Sequence, residues 1–142
     1  MSGQAIRIIL LVILAVGILV LSLLPETPLS VTYLMGLDKV QHWLAYTCLG
    51  FLVLLTIQGR KGVLLLYFGL SVFACTMYGG LIEVLQGFTG RNPDIADFFV
   101  NMFGASAGGV LAIGFIEISR SRSQKQAARD ESDIEGNADG LD

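Results

Sequence analysis

The chain has 142 residues, of which 54% are hydrophobic and 15% are charged, and its formal net charge at pH 7 is -3. A soluble domain of this size cannot bury so much apolar surface, because much of a small fold stays exposed to solvent. The composition therefore predicts one domain in a lipid environment, and it offers no basic, aromatic surface for nucleic acid.

The first predicted element is an apolar run over residues 8–24, which follows Arg7. About 20 residues at a rise of about 1.5 Å each cross the ~30 Å hydrocarbon core of a bilayer, so a helix of this length can span it. A signal peptide has a similar pattern, but the residues before Pro25 contain no small-x-small cleavage motif. We interpret the run as a retained transmembrane helix.

Three further apolar runs follow, over residues 40–57, 63–86 and 98–118. The connection between the second and third runs, residues 58–62, is short enough to force an antiparallel hairpin. The predicted fold class is therefore an all-α membrane protein, with four transmembrane helices in an antiparallel bundle. Both cysteines lie inside apolar runs, where we interpret them as small hydrophobic side chains rather than as a disulfide.

The composition changes after residue 118. Residues 119–129 are basic and polar, and residues 130–142 are acidic with Gly, Asn and Ser. Such a segment lacks the hydrophobicity to fold alone, so we predict a disordered polar tail. The predicted organisation is a membrane domain over residues 1–118 and a tail over residues 119–142.

Lysine and arginine residues are unequally divided between the two sides of this four-helix arrangement. The larger group is Arg7, Arg60, Lys61, Arg120, Arg122, Lys125 and Arg129, and the smaller is Lys39 and Arg91. Loops on the cytoplasmic side carry an excess of these residues. The bias therefore places both termini and the tail in the cytoplasm.

This topology brings the polar residues of three helices to one depth near the outer membrane face. A charged side chain that faces lipid costs roughly 2.5–3.5 kcal/mol at the bilayer centre and less near the interface, so these groups are expected to turn inward. They form one candidate ligand-binding site or polar network: Asp38, Lys39, His42, Tyr46, Glu83, Gln86, Arg91, Asp94, Asp97 and Asn101.

Several of these residues also have a purely structural interpretation. Asp38 with Gln41 three positions later has the pattern of a capping box at the start of the second helix. Asp94 is a candidate N-cap of the fourth helix, with Asp97 in its first turn. Glu83 has no capping role inside its apolar helix, so it needs a partner. The candidates at its depth are Lys39, His42, Arg91 and Asn101.

Glycines recur on the third and fourth helices. Gly104 and Gly108 have the G-x-x-x-G spacing, which serves either close helix packing within the monomer or homodimerisation. Gly79 and Gly80 serve either a similar close approach or a bend beside Glu83. Both alternatives remain open for each pair.

Four short motifs fall at these positions. They are Ser22-Leu23-Leu24-Pro25, Asp38-Lys39-x-x-His42-x-x-x-Tyr46, Tyr78-Gly79-x-x-x-Glu83-x-x-Gln86, and Gly90-Arg91-x-x-Asp94-x-x-Asp97-x-x-x-Asn101-x-x-Gly104. With them the chain resembles the VanZ-like family of small bacterial membrane proteins, over about residues 8–116. The resemblance implies a four-helix domain in the bacterial cytoplasmic membrane. The family is named for a member linked to resistance to the glycopeptide teicoplanin.

Two functions fit this pattern. The first is a site at the outer leaflet that binds a lipid-linked or cell-wall-related molecule, with Lys39 and Arg91 suited to a phosphate or carboxylate. His42 beside Glu83 and Asp97 has the groups for general acid–base chemistry, so these three are the catalytic candidates, and whether a reaction occurs stays open. The second function is a non-enzymatic scaffold or partner subunit, in which the polar residues form a structural network.

Other classes of function have less support. The inner halves of the predicted helices contain no ionisable residue, which argues against a proton or ion path. One histidine with scattered carboxylates is a poor match to common metal sites, so we expect no metal and no cofactor. The expected partners are membrane lipid and a lipid-linked ligand, with homo-oligomerisation through Gly104 and Gly108 as a further possibility.

Overall fold

A computed structural model of the chain describes residues 2–24, 35–59, 63–89 and 94–138, with side chains from 39 onward in the second range and up to 131 in the last. These residues form four α-helices: α1 (Gly3–Leu23), α2 (Met35–Ile57), α3 (Leu64–Gln86) and α4 (Ile95–Ala138). Each contains a stretch that is long and apolar enough to cross a membrane. The described residues contain no strand. The prediction of an all-helical fold with four such helices is confirmed.

Helix α1 begins before the predicted apolar run. Ser2 is its N-cap, since the Ser2 Oγ accepts a hydrogen bond from the backbone N–H of Ala5 at 3.2 Å. Arg7 therefore lies inside the helix, where its Nη1 donates to the backbone carbonyl of Leu55 at 2.7 Å. This bond joins the first part of α1 to the last part of α2.

Helix α2 also begins earlier than predicted, at Met35. An N-cap residue has a non-helical backbone, whereas Asp38 lies within the helix, so the prediction of a capping box at Asp38 and Gln41 is wrong. Met35 and Leu37 favour helix, and the helix continues through them toward the N-terminus.

Helix α4 begins as the sequence indicates. The backbone N–H of Ala96 donates to Asp94 Oδ1 at 2.8 Å, and the N–H of Asp97 donates to the Asp94 carbonyl oxygen at 2.9 Å. Asp97 lies in the first turn. The predicted N-cap at Asp94 is confirmed.

The far part of α4 differs from the predicted disordered tail, because the helix continues to Ala138. The segment is rich in Gln, Lys, Arg and Ala, which favour helix even without a buried face. It also contains local pairs: Ser123 Oγ donates to the Ser119 carbonyl at 3.1 Å, and Gln126 Nε2 donates to Asp130 Oδ1 at 2.8 Å. The described side chains from 121 to 131 are exposed, as expected for a polar segment. The predicted domain boundary after residue 118 stays a prediction.

The chain divides into two compact units, Met1–Ala112 and Ile113–Asp142. The core of the first unit is small and contains Ile18, Tyr46, Leu49, Cys75, Ile82 and Ala105. Large apolar side chains such as Leu66, Phe73 and Phe103 point outward instead. This distribution is the one expected where lipid, rather than water, surrounds a helical bundle. Both cysteines are free.

Glycines allow α2 and α4 to make backbone contact within the first unit. A Cβ added to Gly104 would lie 2.6 Å from the Trp43 carbonyl oxygen, and one added to Gly108 would overlap the Thr47 carbonyl oxygen. The G-x-x-x-G face thus packs inside the monomer. Homo-oligomerisation through Gly104 and Gly108 stays a prediction.

A candidate polar binding site between three helices

Seven polar residues meet where the start of α2, the end of α3 and the start of α4 come together. We call this group the polar cluster: Lys39, His42, Tyr46, Glu83, Asp94, Asp97 and Asn101. The members from α2, and those at the start of α4, recur every three or four residues and so share one face of their helix, whereas α3 contributes Glu83 alone.

The exposed part of the polar cluster is an ion-pair group. The Lys39 Nζ donates to Asp94 Oδ2 at 2.8 Å and to Asp97 Oδ1 at 3.2 Å. The Asp94 side chain is 50% exposed, whereas that of Asp97 is 10% exposed. The Lys39 ammonium and the Ala96 backbone N–H together hold the pKa of Asp94 below its usual range.

The deeper part of the polar cluster contains His42 and Asn101. The His42 Nδ1 lies 3.1 Å from Asn101 Oδ1, and Asn101 is 1% exposed. A carbonyl oxygen only accepts, so the His42 Nδ1 is the donor in this bond. The His42 ring is stacked parallel to that of Tyr46, with centroids 6.5 Å apart.

Glu83 is held by one oxygen only. Its Oε2 accepts a hydrogen bond from the backbone N–H of Asp94 at 3.3 Å. Its Oε1 is buried and has no hydrogen-bond partner among the described residues, and the whole residue is 8% exposed. Leaving a buried polar group unpaired costs about 1–3 kcal/mol, and more for a charged group. Glu83 is therefore positioned but not satisfied.

Three members of the polar cluster converge closely. One candidate ligand atom each from His42, Glu83 and Asp97 all lie within 4.8 Å of one another. From the sequence, one histidine with scattered carboxylates was a poor match to common metal sites. In the structure they come from three adjacent helix ends and share one small volume.

Tyr46 and Gly79 lie at the buried end of the polar cluster. The Tyr46 hydroxyl is buried and, within the part of the chain that is described, has no hydrogen-bond partner. A Cβ added to Gly79 would lie 2.7 Å from Asn101 Nδ2 and 3.0 Å from the Tyr46 hydroxyl oxygen. Gly79 therefore makes room for both side chains, which agrees with the close approach suggested by its sequence.

Helix α1 is bonded to α3 through two side chains outside the polar cluster, a contribution that the sequence did not predict. Gln86 Nε2 donates to the Ser22 carbonyl at 3.0 Å, and the Tyr78 hydroxyl donates to the Ala15 carbonyl at 2.6 Å. Backbone carbonyl acceptors have no sequence signal. The only available indication was that Gln86 and Tyr78 each interrupt an apolar helix.

The structure thus brings together seven of the ten predicted site residues, namely those of the polar cluster. Gln86 lies beside them but bonds to α1. The Asp38 side chain and Arg91 fall outside the described residues. A histidine, two buried carboxylates and a lysine offer proton donors, proton acceptors and hydrogen-bonding groups at one place, and their role as a site stays a prediction.

Comparison with known proteins adds one finding. A model of the VanZ/LLP1 family matches residues 4–117, which include the whole polar cluster. Neither a curated protein nor a solved structure matches the chain.

Proposed function

The chain belongs to the VanZ/LLP1 family, and from this premise we propose that it binds the polar head group of a lipid-linked or cell-wall-related molecule at the outer leaflet of the bacterial cytoplasmic membrane. Its four apolar helices and its family make it a multi-pass membrane protein. The proposal extends to a link with glycopeptide resistance of the teicoplanin type.

The observation that carries the proposal is the gradient of exposure across the polar cluster. Asp94 and Lys39 are about half exposed, and Glu83, Asp97 and Asn101 lie buried beneath them. Such a gradient offers a path from the membrane surface to buried polar atoms. Ligand sites in helical bundles are commonly built in this way, from side chains on facing helices.

The orientation of the site is part of the proposal. Arg7 near the start of α1 contacts Leu55 near the end of α2, and Ser71 Oγ of α3 donates to the Gly50 carbonyl of α2 at 3.1 Å. These pairs support consecutive helices that run in opposite directions. With the excess of lysine and arginine on the other side, both termini lie in the cytoplasm and the polar cluster faces outward.

The charges indicate what the ligand supplies. Lys39 already has two carboxylate partners, so it is less available for an anion than the sequence suggested. Glu83 Oε1 instead needs a donor or a positive charge. A head group with hydroxyl or amide groups, or one that arrives with a cation, meets this need.

The test compares Glu83→Gln and His42→Ala with the matched control Glu117→Gln, which changes an exposed glutamate paired with Arg120. Teicoplanin susceptibility and envelope stress are measured in cells, and the melting temperature is measured in detergent. We expect the first two variants to lose the phenotype while their melting temperature stays close to that of the parent.

Two results would contradict the proposal. If the folded variants behave like the parent in cells, the polar cluster is not a functional site. If the phenotype falls only in step with melting temperature and expression, the polar cluster is a structural network of a scaffold protein.

A further inference from the structure

We propose that His42, Glu83 and Asp97 bind one divalent transition-metal ion, of the type of Zn²⁺ or Mn²⁺. The three residues come from α2, α3 and α4, and one candidate ligand atom of each lies within 4.8 Å of the others. Atoms that each lie about 2.1 Å from a common ion are at most about 4.2 Å apart. The three atoms are therefore close to the spacing that one ion requires.

An unpaired buried oxygen is the second, independent observation. Glu83 is 8% exposed, and its Oε1 accepts no hydrogen bond from any described residue. A carboxylate oxygen held in that state needs a cation or a donor. A metal ion supplies the first and removes the cost of the unpaired charge.

Each proposed ligand also has a hydrogen bond to a neighbouring group, as metal ligands usually have. Asn101 Oδ1 lies 3.1 Å from His42 Nδ1 and accepts a hydrogen bond that holds the imidazole ring. The backbone N–H of Asp94 holds Glu83 Oε2, and the Lys39 ammonium holds Asp97 Oδ1. These contacts fix the orientation of all three side chains.

The local charge favours a cation. The polar cluster contains the carboxylates of Glu83, Asp94 and Asp97 and, among its described members, one ammonium group, that of Lys39. A divalent ion balances the excess negative charge of these four described groups. One imidazole nitrogen and two carboxylate oxygens suit Zn²⁺ or Mn²⁺, and three protein ligands leave a coordination position open.

This inference replaces our expectation from the sequence that the chain has no metal site, and it does not depend on the head-group ligand. The experiment uses the full chain, purified in detergent through a tag without histidine and stripped with a chelator. Zn²⁺ or Mn²⁺ is then added, and bound metal and melting temperature are measured.

We expect about one ion per chain and a melting temperature that rises with ion concentration. Glu83→Gln and Asp97→Asn should each weaken metal binding at least ~10-fold, whereas Glu117→Gln should bind as the parent does. Equal binding by Glu83→Gln and Glu117→Gln, or no retained ion in the parent, would overturn the inference.

A second measurement covers the case in which the carboxylate variants fail to fold. His42 is the only histidine in the chain, so an imidazole signal has one possible source. Pulsed electron paramagnetic resonance of Mn²⁺ bound to the parent should show coupling to a ring nitrogen. Bound Mn²⁺ without this coupling would refute the site. Metal binding is measured on the purified protein, whereas the proposed function is tested by susceptibility of cells. A failure of one is therefore distinguishable from a failure of the other.

Discussion

Tyr46 and Tyr78 are two tyrosines of the same bundle that differ in one hydrogen bond. The Tyr78 hydroxyl donates to the Ala15 carbonyl at 2.6 Å, whereas the Tyr46 hydroxyl is buried without a partner among the described residues. A single intramolecular hydrogen bond contributes about 0.5–1.5 kcal/mol, and an unpaired buried hydroxyl is unfavourable. The pair therefore separates the effect of a satisfied hydroxyl from that of an unsatisfied one.

We expect Tyr78→Phe to lower the free energy of unfolding by about 0.5–1.5 kcal/mol, and Tyr46→Phe to leave it unchanged or raise it by about 1 kcal/mol. Unfolding of both variants in detergent, followed by far-UV circular dichroism, gives the comparison. Equal losses in the two variants would mean that the Tyr46 hydroxyl has a bonding partner.

The lowered pKa of Asp94 implies that the stability of the fold depends on pH. Its pKa is lowered on folding by Lys39 and by the Ala96 N–H, so its ionised form stabilises the fold above the ordinary pKa of aspartate, about 3.9. That stabilising contribution shrinks as the pH falls below the ordinary pKa, and it is lost once the pH is below the lowered pKa of the folded state. Asp94→Asn removes the charge but keeps a good N-cap.

The variant should therefore melt below the parent near neutral pH, and the difference should close as the pH is lowered past about 3.9. Melting temperatures of both proteins across this range measure it. A gap that is constant at every pH would show that the ionisation of Asp94 does not stabilise the fold.

Single residues also show how far sequence reasoning extends. The N-cap at Asp94 was predictable from its place before an apolar run, although the same pattern at Asp38 predicted a cap that the structure does not have. The partner of Glu83 was not: the hydrogen bond comes from the Asp94 backbone N–H rather than from a side chain. A backbone group has no residue type that could indicate it.

At the level of helices, α2 and α4 make backbone contact at the glycines of α4. Gly108 of α4 has the Thr47 carbonyl oxygen where a Cβ would stand, and backbone cannot move aside as a flexible side chain can. Gly69 of α3 is a matched control, because no atom lies within 4 Å of its added Cβ.

We expect Gly108→Ala to lower the free energy of unfolding by about 1–3 kcal/mol through overpacking. Gly69→Ala should be neutral or stabilising by up to about 1 kcal/mol, since alanine favours helix more than glycine does. Unfolding of the two variants under identical detergent conditions measures both. Similar values would show that α2 and α4 do not approach as described.

The existence of the four helices was predictable and their ends were not. Apolar runs of about 20 residues indicate membrane helices strongly, and all four are present. Three boundaries differ because a helix can extend beyond its apolar run: Ser2 caps α1, α2 starts at Met35, and α4 continues to Ala138. Helix propensity and capping, rather than hydropathy, set those ends.

In the whole molecule, polar side chains of α2, α3 and α4 meet at one depth of the bundle, where they pair with one another. The sequence indicated this convergence, because polar residues interrupt three apolar runs at corresponding depths. It did not indicate that one candidate ligand atom each of His42, Glu83 and Asp97 lies within 4.8 Å of the others, since that distance depends on how each helix is rotated about its axis. Packing geometry of this kind appears only in three dimensions.

The most direct measurement of the proposed function is mass spectrometry of lipids that co-purify with the protein. The parent, Glu83→Gln and Glu117→Gln are isolated from the same membranes in the same mild detergent, after folding is checked by melting temperature. We expect a lipid-linked or cell-wall precursor on the parent and on Glu117→Gln, and its loss from Glu83→Gln. The same lipids in the same amounts on all three proteins would contradict it.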